Sequence, residues 1–509
     1  MSGRVVVVGN GMAGLRVVQD LLELDRDRRL RLTVVGDEPG GAYNRILLSN
    51  VVAGRTAAAD VLLADESWYE RNGVELRTGT AATRIDRDEH LLELSDGQAV
   101  GYDKLVLATG SRAVLPEVDG LQRAGHLVAG AVAFRTLADC VEIDRRASGV
   151  RSAVVVGAGV LGLEAARGLA GRGLRVTLLQ RGPRLLERQL DAPAARLLAR
   201  SAAALGVEVR RAGLLRVHAD GGVRAIELDD GAIVETELLV LCCGVRPRAE
   251  LAAAAGLTVT SGIAVDDAMR SPDDPDVLAV GDCAEHRGRV YGLVAPAWEQ
   301  ARVAAQTLAG TPAAYTGSRE VTRLKASGLE LACLGESSGD GDGDGDGGDD
   351  GGDDGHDDAA DEIVRFSDSA RRSYQKLVIR NGRLVGAILL GDTRTVGIVT
   401  QLYDRGGVVP SDRADLLLPR RDATVATDSP TTLPGRATIC HCNGVTKSAL
   451  CDAWAGGART VDDLATATRA TTGCGTCRDT VAGIAQWLAA ADPDTHGPEP
   501  EPVPTAGRG

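Results

Sequence analysis

The chain has 509 residues and a net charge of −14, with 44% hydrophobic and 25% charged residues. These values are typical of a water-soluble protein of about three or four domains. Eleven aspartates lie in the run Asp340–Asp361, so the remainder is only mildly acidic and carries no basic patch of the kind that binds nucleic acid. No stretch approaches the roughly 20 apolar residues that span a bilayer, and no secretion signal opens the sequence. We therefore expect a cytoplasmic protein that binds neither nucleic acid nor a membrane.

A glycine turn between a strand and a helix lies at the start of the sequence. Residues Arg4–Leu15 predict a buried strand that runs into the pattern GxGxxG, formed by Gly9, Gly11 and Gly14, and then a helix. Such a turn lets a pyrophosphate approach the backbone and the free N–H groups at the start of the helix. The pattern alone is weak, but the strand before it and the helix after it favour a dinucleotide-binding site over an ordinary turn.

Charged residues follow the second predicted strand, Leu30–Val35. Asp37 and Glu38 lie where a carboxylate can accept a hydrogen bond from a ribose hydroxyl, although solvated strand-end carboxylates would give the same pattern. Arg45, within Gly41–Ser49, is placed to meet a phosphate or an isoalloxazine edge, and a surface salt bridge is the alternative. These three side chains are candidates for the first nucleotide site.

The same strand, turn and helix pattern occurs a second time, about 150 residues further along the chain. Its glycines are Gly157, Gly159 and Gly162. The next predicted strand, Arg175–Leu179, ends in Gln180 and Arg181. Two such motifs in one chain indicate a pair of dinucleotide-binding domains far more specifically than one motif does.

Two further strand ends complete the pattern. One predicted buried strand ends at Thr109 and Gly110, and another ends at Gly281 and Asp282. Together with the two glycine motifs, these residues resemble the two-dinucleotide-binding-domain flavoproteins of the pyridine-nucleotide-disulfide-oxidoreductase superfamily. The resemblance implies an FAD site in the first half and an NAD(P)H site in the second.

The resemblance also implies domain bounds and residue roles. FAD would be bound by 1–118 and 262–315, with Asp282 hydrogen-bonded to the ribityl chain, and NAD(P)H by 119–261. Members that use NADH often carry an acid where Gln180 stands, because a carboxylate accepts from the 2′-hydroxyl and repels a 2′-phosphate. With a glutamine and then an arginine at this point, NADH and NADPH both stay open.

The stretch Gly41–Ser49 contains no cysteine. Disulfide reductases of the superfamily carry a redox CxxxxC after the second strand, and coenzyme A disulfide reductases and peroxide- or oxygen-reducing relatives carry a single cysteine there. Sulfur chemistry beside the flavin is therefore not expected. The resemblance implies that electrons pass to another acceptor, as in ferredoxin and rubredoxin reductases.

Beyond the flavoprotein core, residues 320–415 predict a small α/β module that resembles the one following the core in nitrite reductase large subunits. Its predicted strands are Glu330–Leu334, Ile363–Phe366, Tyr374–Arg380 and Arg383–Leu390. An insertion at 337–361, almost all Gly and Asp, is expected to be a solvated, disordered loop. Residues 422–434 are expected to form a linker.

Cysteines crowd the last seventy or so residues, where a CxC is followed about thirty residues later by a CxxC. The four cysteines of this pattern are Cys440, Cys442, Cys474 and Cys477. Four thiolates are what a [2Fe–2S] cluster requires, and a structural Cys₄ zinc site is the competing interpretation. The pattern resembles the bacterioferritin-associated-ferredoxin-like [2Fe–2S] domain at all four cysteines, which implies such a domain at 436–490 and a disordered tail at 491–509. We expect Cys451, which has no place in a four-ligand cluster, to be a buried helix residue.

The predicted fold is α/β, with two Rossmann-like dinucleotide-binding domains, a small α/β module and a small helical C-terminal [2Fe–2S] domain. This order resembles the front part of NAD(P)H-dependent nitrite reductase large subunits, or the electron-transfer subunit of assimilatory nitrate reductase. It implies an enzyme in which NAD(P)H reduces FAD and single electrons pass through the cluster to a separate sirohaem nitrite reductase or molybdenum nitrate reductase component. Because no sirohaem domain follows, we expect the chain not to reduce nitrite by itself.

Two other functions stay open at this point. One is a general ferredoxin- or rubredoxin-type reductase whose own cluster replaces a separate ferredoxin. The other is a redox-sensing or iron-handling protein whose C-terminal domain docks a partner. The intact pair of GxGxxG motifs favours turnover over sensing. Monomer and homodimer are both compatible with the sequence.

Overall fold

The structure is a computed structural model that describes residues 3–326, 328–337, 361–418, 433–435, 437–440, 443–473, 475 and 477–491. The chain divides into two compact units, Met1–Arg420 and Arg421–Gly509. The expected insertion 337–361, the linker 422–434 and the tail 491–509 lie almost entirely outside the described residues. Across the described ranges, no helix is long and apolar enough to cross a membrane.

The first sheet is built around Gly3–Val8, whose four valines are buried. Five of its six strands are parallel, and strands buried in this way are continuous apolar runs rather than alternating ones. In spatial order the strands are Arg270–Ser271, Asp274–Ala279, Lys104–Leu107, Gly3–Val8, Leu30–Val35 and Glu75–Arg77. The carboxyl ends of the parallel strands therefore meet at one edge, where ligands bind in open α/β sheets.

A second sheet, entirely parallel, repeats this arrangement in the next part of the chain. Its strands, in spatial order, are Ala131–Ala133, Leu238–Leu241, Ser152–Val156, Arg175–Gln180 and Val207–Arg211. The antiparallel pair Ser111–Ala113 and Val245–Pro247 joins the two halves. Each half thus has its own set of parallel strand ends.

Each half also contains smaller sheets of two or three strands. The three-stranded antiparallel ribbons are Ala82–Asp86, Leu91–Leu94 and Ala99–Gly101, and Leu214–Ala219, Val223–Leu228 and Ile233–Glu235. The two-stranded pairs are Ala42–Tyr43 with Leu62–Ala64, Gln122–Arg123 with His126–Leu127, and Ile263–Val265 with Ala284–His286.

Eight helices accompany the two parallel sheets. They are Met12–Leu24, Leu48–Val52, Glu66–Arg71, Leu137–Ala147, Val160–Gly171, Ala192–Ala204, Glu250–Ala254 and Val294–Leu308. Short 3₁₀ turns lie at Arg45–Leu47, Ala58–Val61 and Gly281–Cys283. In the first helix, Leu15, Val18 and Leu21 are buried, as a helical period of 3.6 residues predicts for a face packed on a sheet.

Within 321–405, the described residues form an antiparallel five-stranded sheet with one helix, Val396–Arg405. In spatial order its strands are Val321–Ala326, Leu329–Gly335, Arg383–Leu390, Ser373–Arg380 and Glu362–Asp368, and a 3₁₀ turn follows at Arg413–Leu416. The sequence predicts four of these strands and misses Val321–Ala326. That strand lies at the edge of the sheet, where charged side chains are tolerated, and it carries an arginine and a lysine that mask its apolar pattern.

A buried ion pair joins this module to the second dinucleotide-binding half. Lys376 Nζ lies 3.2 Å from Asp191 Oδ2, and both side chains are at most 3% exposed. The Asp191 carboxylate also accepts from the Tyr374 hydroxyl at 2.6 Å and from the Ala194 N–H at 3.1 Å, as the cap of helix Ala192–Ala204. The module is therefore fixed to the amino-terminal end of that helix.

Removing the acid of this pair is expected to cost far more stability than removing the base. The variant Asp191→Asn leaves the Lys376 ammonium buried without a counter-charge, which costs about 3–5 kcal/mol of unfolding free energy. Lys376→Met leaves a carboxylate that still accepts from Tyr374 and Ala194, so its loss is expected to be smaller. Thermal unfolding of both variants beside wild type measures the difference, and equal losses would contradict this account.

The described part of the second unit is a small helical fold. Its helices are Lys447–Ala455, Val461–Thr468 and Arg478–Ala491, and its short strands Thr438–Cys440 and Val445–Thr446 pair antiparallel. Leu450, Leu464 and Ile484, one from each helix, are completely buried and form its core. The helical stretch that the sequence predicts between the CxC and the CxxC is present as the first two helices.

Candidate functional site

Two glycine turns of the same geometry follow the strands Gly3–Val8 and Ser152–Val156. Gly9 has a φ of 115° and Gly157 a φ of 105°, a left-handed conformation that glycine adopts readily and other residues rarely. A Cβ would lie 2.1 Å from the Ala108 carbonyl oxygen at the first position and 2.3 Å from the Cys242 carbonyl oxygen at the second. Each turn therefore passes too close to a neighbouring strand end to carry a side chain.

The other glycines of each motif shape a cradle at the start of the following helix. A Cβ at Gly14 or Gly162 would lie 2.0 Å or 1.8 Å from the carbonyl oxygen of the first glycine of its motif, so both allow close packing of helix and turn. By contrast, nothing lies within 4 Å of a Cβ built at Gly11 or Gly159. Each is the N-cap of its helix and makes no side-chain cap. Both helix starts therefore have room for a phosphate and N–H donors to bind it.

The two acids after the second strand are engaged by the protein. Asp37 Oδ2 lies 2.6 Å from Arg248 Nη1. Glu38 accepts from the Tyr43 hydroxyl at 2.6 Å and pairs with Arg45. Burial raises the pKa of Tyr43, so its hydroxyl remains a donor. The Arg45 side chain is 27% exposed and lies 4.9 Å above the Tyr43 ring, so the salt bridge that the sequence offered as an alternative exists, and it is partly buried.

Asp282 belongs to a connected set of polar side chains. Its Oδ2 accepts from Ser111 Oγ at 2.7 Å and from Arg135 Nη2 at 2.7 Å. The Arg135 carbonyl oxygen accepts from Arg45 at 3.1 Å, which links the two predicted residues Asp282 and Arg45. The sequence interpretation missed Ser111 and Arg135. Ser111 directly follows a predicted motif and could have been found, whereas no motif marks Arg135.

The two predicted strand-end turns are held by main-chain and amide contacts. Thr109 Oγ1 donates to the Arg248 carbonyl oxygen at 2.6 Å, and the Arg248 N–H donates to the Gly110 carbonyl oxygen at 2.9 Å. The Gly281 N–H donates to the buried Oε1 of Gln300 at 2.8 Å. These bonds fix the edge of the first sheet around its glycine turn.

At the second sheet, Gln180 is the last residue of the strand Arg175–Gln180, one residue longer than predicted. Gln180 is buried, and its Nε2 donates to the Gly182 carbonyl oxygen at 3.0 Å. Arg181 follows it and is exposed. The register places Gln180 beside Arg211 of the neighbouring strand, a residue that the sequence interpretation did not single out.

The thiols near the two glycine turns are protonated, and they are therefore weak nucleophiles. Burial raises the pKa of Cys242 and Cys243, which follow the strand Leu238–Leu241, and of Cys283 beside Asp282. Such thiols stay protonated at neutral pH and are poor nucleophiles. None of the eight cysteines among the described residues is in a disulfide.

Two of the four predicted cluster ligands, Cys440 and Cys477, are described, and both are buried. Asn443 connects Cys440 to the segment that precedes the second cysteine pair. Its Nδ2 lies 3.8 Å from Cys440 Sγ, 2.6 Å from the Arg469 carbonyl oxygen and 3.1 Å from Thr472 Oγ1. The other two predicted ligands, Cys442 and Cys474, lie outside the described residues.

Cys451 lies on the helix Lys447–Ala455, as expected, but it is partly exposed rather than buried. Leu450 and Trp454, four residues apart, form the face of this helix that packs inward. Cys451 is one position away from that face. The expectation of a buried cysteine was wrong for this reason.

Two sheets that each end in an open glycine cradle define a protein with paired dinucleotide-binding sites. The family model described as pyridine nucleotide-disulphide oxidoreductase matches residues 3–307, and the chain belongs to this family. A BFD-like [2Fe-2S] binding domain matches residues 438–487, and the rubredoxin NAD+ reductase C-terminal domain matches residues 351–405. These matches confirm the predicted fold class and imply the predicted cofactors, FAD, NAD(P)H and a [2Fe–2S] cluster.

Similar proteins agree with the resemblance stated above. The assimilatory nitrate reductase electron transfer subunit of Bacillus subtilis is 34% identical over 505 residues, which cover 95% of this chain and 60% of the relative. A nitrite reductase (NAD(P)H) of the same organism is 33% identical over 494 residues, covering 96% and 58%. A covalent putidaredoxin reductase–putidaredoxin complex matches with a TM-score of 0.70 at 26% identity, covering 82% of this chain and 98% of that one. The chain spans about three-fifths of the length of these two curated relatives.

Proposed function

We propose that the chain is an NAD(P)H-dependent oxidoreductase that passes electrons through FAD and a [2Fe–2S] cluster to a separate nitrite or nitrate reductase component. One observation carries the proposal. The same chain has two open cradles of matching geometry, at Gly11 and Gly159, and a [2Fe–2S] binding domain. Two nucleotide sites and a one-electron carrier are what the conversion of a hydride into single electrons requires.

The first cradle fits FAD. The N–H groups beyond Gly11 would bind its phosphates, in the space that the structure leaves open there. Asp37 and Glu38 would lie toward the adenosine ribose. Asp282, oriented by Ser111 and Arg135, would accept from a ribityl hydroxyl. When bound, FAD supplies acceptance of a hydride and the cluster supplies transfer of single electrons.

The remaining predicted residues fit the second nucleotide and the cluster. The N–H groups beyond Gly159 would bind the pyrophosphate of NAD(P)H, with Gln180 and Arg181 near its adenosine ribose. The proposed cluster ligands are Cys440, Cys442, Cys474 and Cys477. The burial of Cys440 and Cys477 suits thiolates that must be shielded from solvent.

An anaerobic titration with NADH and then NADPH, followed by absorbance and electron paramagnetic resonance, tests this function. We expect the flavin absorbance to bleach and a rhombic [2Fe–2S] signal to develop. A flavin that bleaches without a cluster signal, together with zinc on metal analysis, would contradict the internal relay. A flavin that neither coenzyme bleaches would contradict the proposed activity altogether.

Replacing Asp282 by alanine is expected to weaken FAD binding. The change removes the proposed ribityl acceptor and also removes the carboxylate that pairs with the guanidinium of Arg135 at 2.7 Å. Loss of one hydrogen bond to a charged group corresponds to an affinity loss of about 10- to 100-fold. Flavin content after purification and an FAD titration of the stripped protein measure it. The control Asp276→Ala removes a surface acid that pairs with Lys104 on the same sheet and should keep its FAD.

The proposed acceptor is a sirohaem nitrite reductase or a molybdenum nitrate reductase component. The similarity to an assimilatory nitrate reductase electron transfer subunit of Bacillus subtilis supports this class of acceptor. Nitrite-dependent oxidation of NAD(P)H only when a sirohaem protein is added would support the first component. Nitrate-dependent oxidation of NAD(P)H only when a molybdenum protein is added would support the second.

We propose a cytoplasmic location, which suits a chain whose described cysteines form no disulfide.

A ferredoxin- or rubredoxin-type reductase is the second candidate. Two observations favour it: the similarity to a putidaredoxin reductase complex and the match to a rubredoxin NAD+ reductase C-terminal domain. Rapid reduction of added rubredoxin or ferredoxin, with no stimulation by a nitrite or nitrate reductase component, would support this candidate over the first.

Sedimentation of the holoprotein distinguishes a monomer from the homodimer.

A further inference from the structure

The end of the strand Arg175–Gln180 carries the features that select between the two nicotinamide coenzymes. We propose that the second nucleotide site selects NADPH, with Arg181 and Arg211 binding its 2′-phosphate. This inference rests on the proposed function of that site as the NAD(P)H site. It concerns which coenzyme is used, and a preference for NADH would leave the proposed oxidoreductase activity intact.

The two halves of the molecule differ at equivalent points. In the first half, the strand beside the glycine turn is followed by two carboxylates, Asp37 and Glu38. In the second half, the corresponding strand ends in Gln180, and Arg181 follows. A carboxylate at this point accepts from a 2′-hydroxyl and repels a 2′-phosphate, so its absence removes the usual barrier to NADPH.

Sheet register brings a second arginine to the same place. Gln180 is the Cα partner of Arg211 on the neighbouring parallel strand, and paired strands lie about 4.8 Å apart. Arg181 and Arg211 are both exposed, and neither guanidinium forms a hydrogen bond or ion pair with any residue that the structure describes. Two guanidinium groups without partners at one strand end can bind a phosphate from two sides.

The buried Gln180 side chain hydrogen-bonds to the loop that follows its strand. Gln180 Nε2 donates to the Gly182 carbonyl oxygen at 3.0 Å, which holds the loop in a turn directly after Arg181. Further along this loop, the Nε of Arg184 is buried and has no hydrogen-bond partner in the described structure.

Carboxylates around the site are outnumbered by arginines. Glu187 and Asp229 lie against glycines of the adjoining loops, and Asp230 is already paired with Arg210 at 2.8 Å. Arg181 and Arg211 lie at the strand end, and Arg184 and Arg188 lie in the loop that follows it. These four arginines outnumber Glu187 and Asp229, and the Asp230–Arg210 pair is neutral. The region therefore has a net positive charge, which attracts a phosphate.

The test uses the FAD-loaded protein and two ligands that differ only in the 2′-phosphate, 2′,5′-ADP and 5′-AMP. By titration calorimetry, wild type is expected to bind 2′,5′-ADP at least about tenfold more tightly, as one charge-assisted hydrogen bond to a phosphate predicts. Arg181→Gln and Arg211→Gln should each reduce that preference about tenfold or more without changing 5′-AMP binding. Steady-state kcat/KM for NADPH with ferricyanide should fall by a similar factor, while kcat/KM for NADH stays level.

Two further variants keep the proposal falsifiable. Arg175→Gln removes an exposed arginine at the opposite end of the same strand and should leave both preferences unchanged. Gln180→Glu should shift the kcat/KM ratio toward NADH. A wild type that prefers NADH, or arginine variants that lose both coenzymes equally, would overturn the inference. If neither coenzyme reduces the flavin of a folded, FAD-loaded wild type, the proposed function fails instead.

Discussion

Replacing Cys440 and Cys477 together by serine is expected to separate reduction of the flavin from reduction of the acceptor protein. The variant loses two of the four thiolates that a [2Fe–2S] cluster requires, so its iron content and its paramagnetic signal should disappear. Flavin bleaching by NAD(P)H should continue at the wild-type rate, because both glycine cradles lie in the other unit of the chain. Acceptor reduction should fall by at least about two orders of magnitude, as when one member of a group acting as a unit is removed.

Cys451→Ser is the matched control for this prediction. Cys451 belongs to the same unit and is partly exposed, but it lies outside the CxC and CxxC pairs. The control should retain iron, sulfide and the reduced-cluster signal, and it should reduce the acceptor normally. Stopped-flow absorbance at the flavin bands, run beside the acceptor assay, gives both rates on one preparation. An acceptor rate that survives in the cysteine double variant would show that electrons leave directly from the flavin, and the relay would be wrong.

The parts of the site that follow from local pattern could be predicted from the sequence. A glycine turn needs only the strand before it and the helix after it, so the turns at Gly9 and Gly157 were placed correctly and their geometry matches. Buried parallel strands are continuous apolar runs, which made both central strands recognisable. Position in a motif places the turn but does not show what an individual side chain binds.

Contacts between distant residues could not be predicted in this way. Arg135 reaches Asp282 across 147 positions, and Tyr374 and Lys376 reach Asp191 across more than 180. Arg211 lies beside Gln180 only because two strands pair in one register. Nothing local marks such residues, since an arginine or lysine in a polar stretch looks like any surface residue. The buried Lys376 shows the limit most clearly, because lysine is almost never fully buried unless it is paired.

Replacing the middle glycines by alanine is expected to empty one nucleotide site at a time without unfolding the protein. Gly11 and Gly159 both have negative φ, at −92° and −75°, and neither would bring a Cβ within 4 Å of another atom. Alanine is therefore tolerated by the fold, and the added methyl group occupies the space proposed for a phosphate. Gly11→Ala should purify with little FAD. Gly159→Ala should keep FAD while its KM for the coenzyme rises about 10- to 100-fold, the cost of losing a backbone hydrogen bond to a charged phosphate.

Gly162, the third glycine of the second motif, is the contrasting case. A Cβ at Gly162 would lie 1.8 Å from the Gly157 carbonyl oxygen, so Gly162→Ala should destabilise the second half itself by about 1–3 kcal/mol or more, the usual cost of overpacking. Thermal unfolding, flavin content and KM measured on all three variants separate steric damage from loss of a ligand. If Gly159→Ala lowered the unfolding temperature as much as Gly162→Ala, its effect on KM would reflect a damaged fold. If Gly159→Ala left KM unchanged, the pyrophosphate would not lie at this helix, and the second nucleotide site would have to be sought elsewhere.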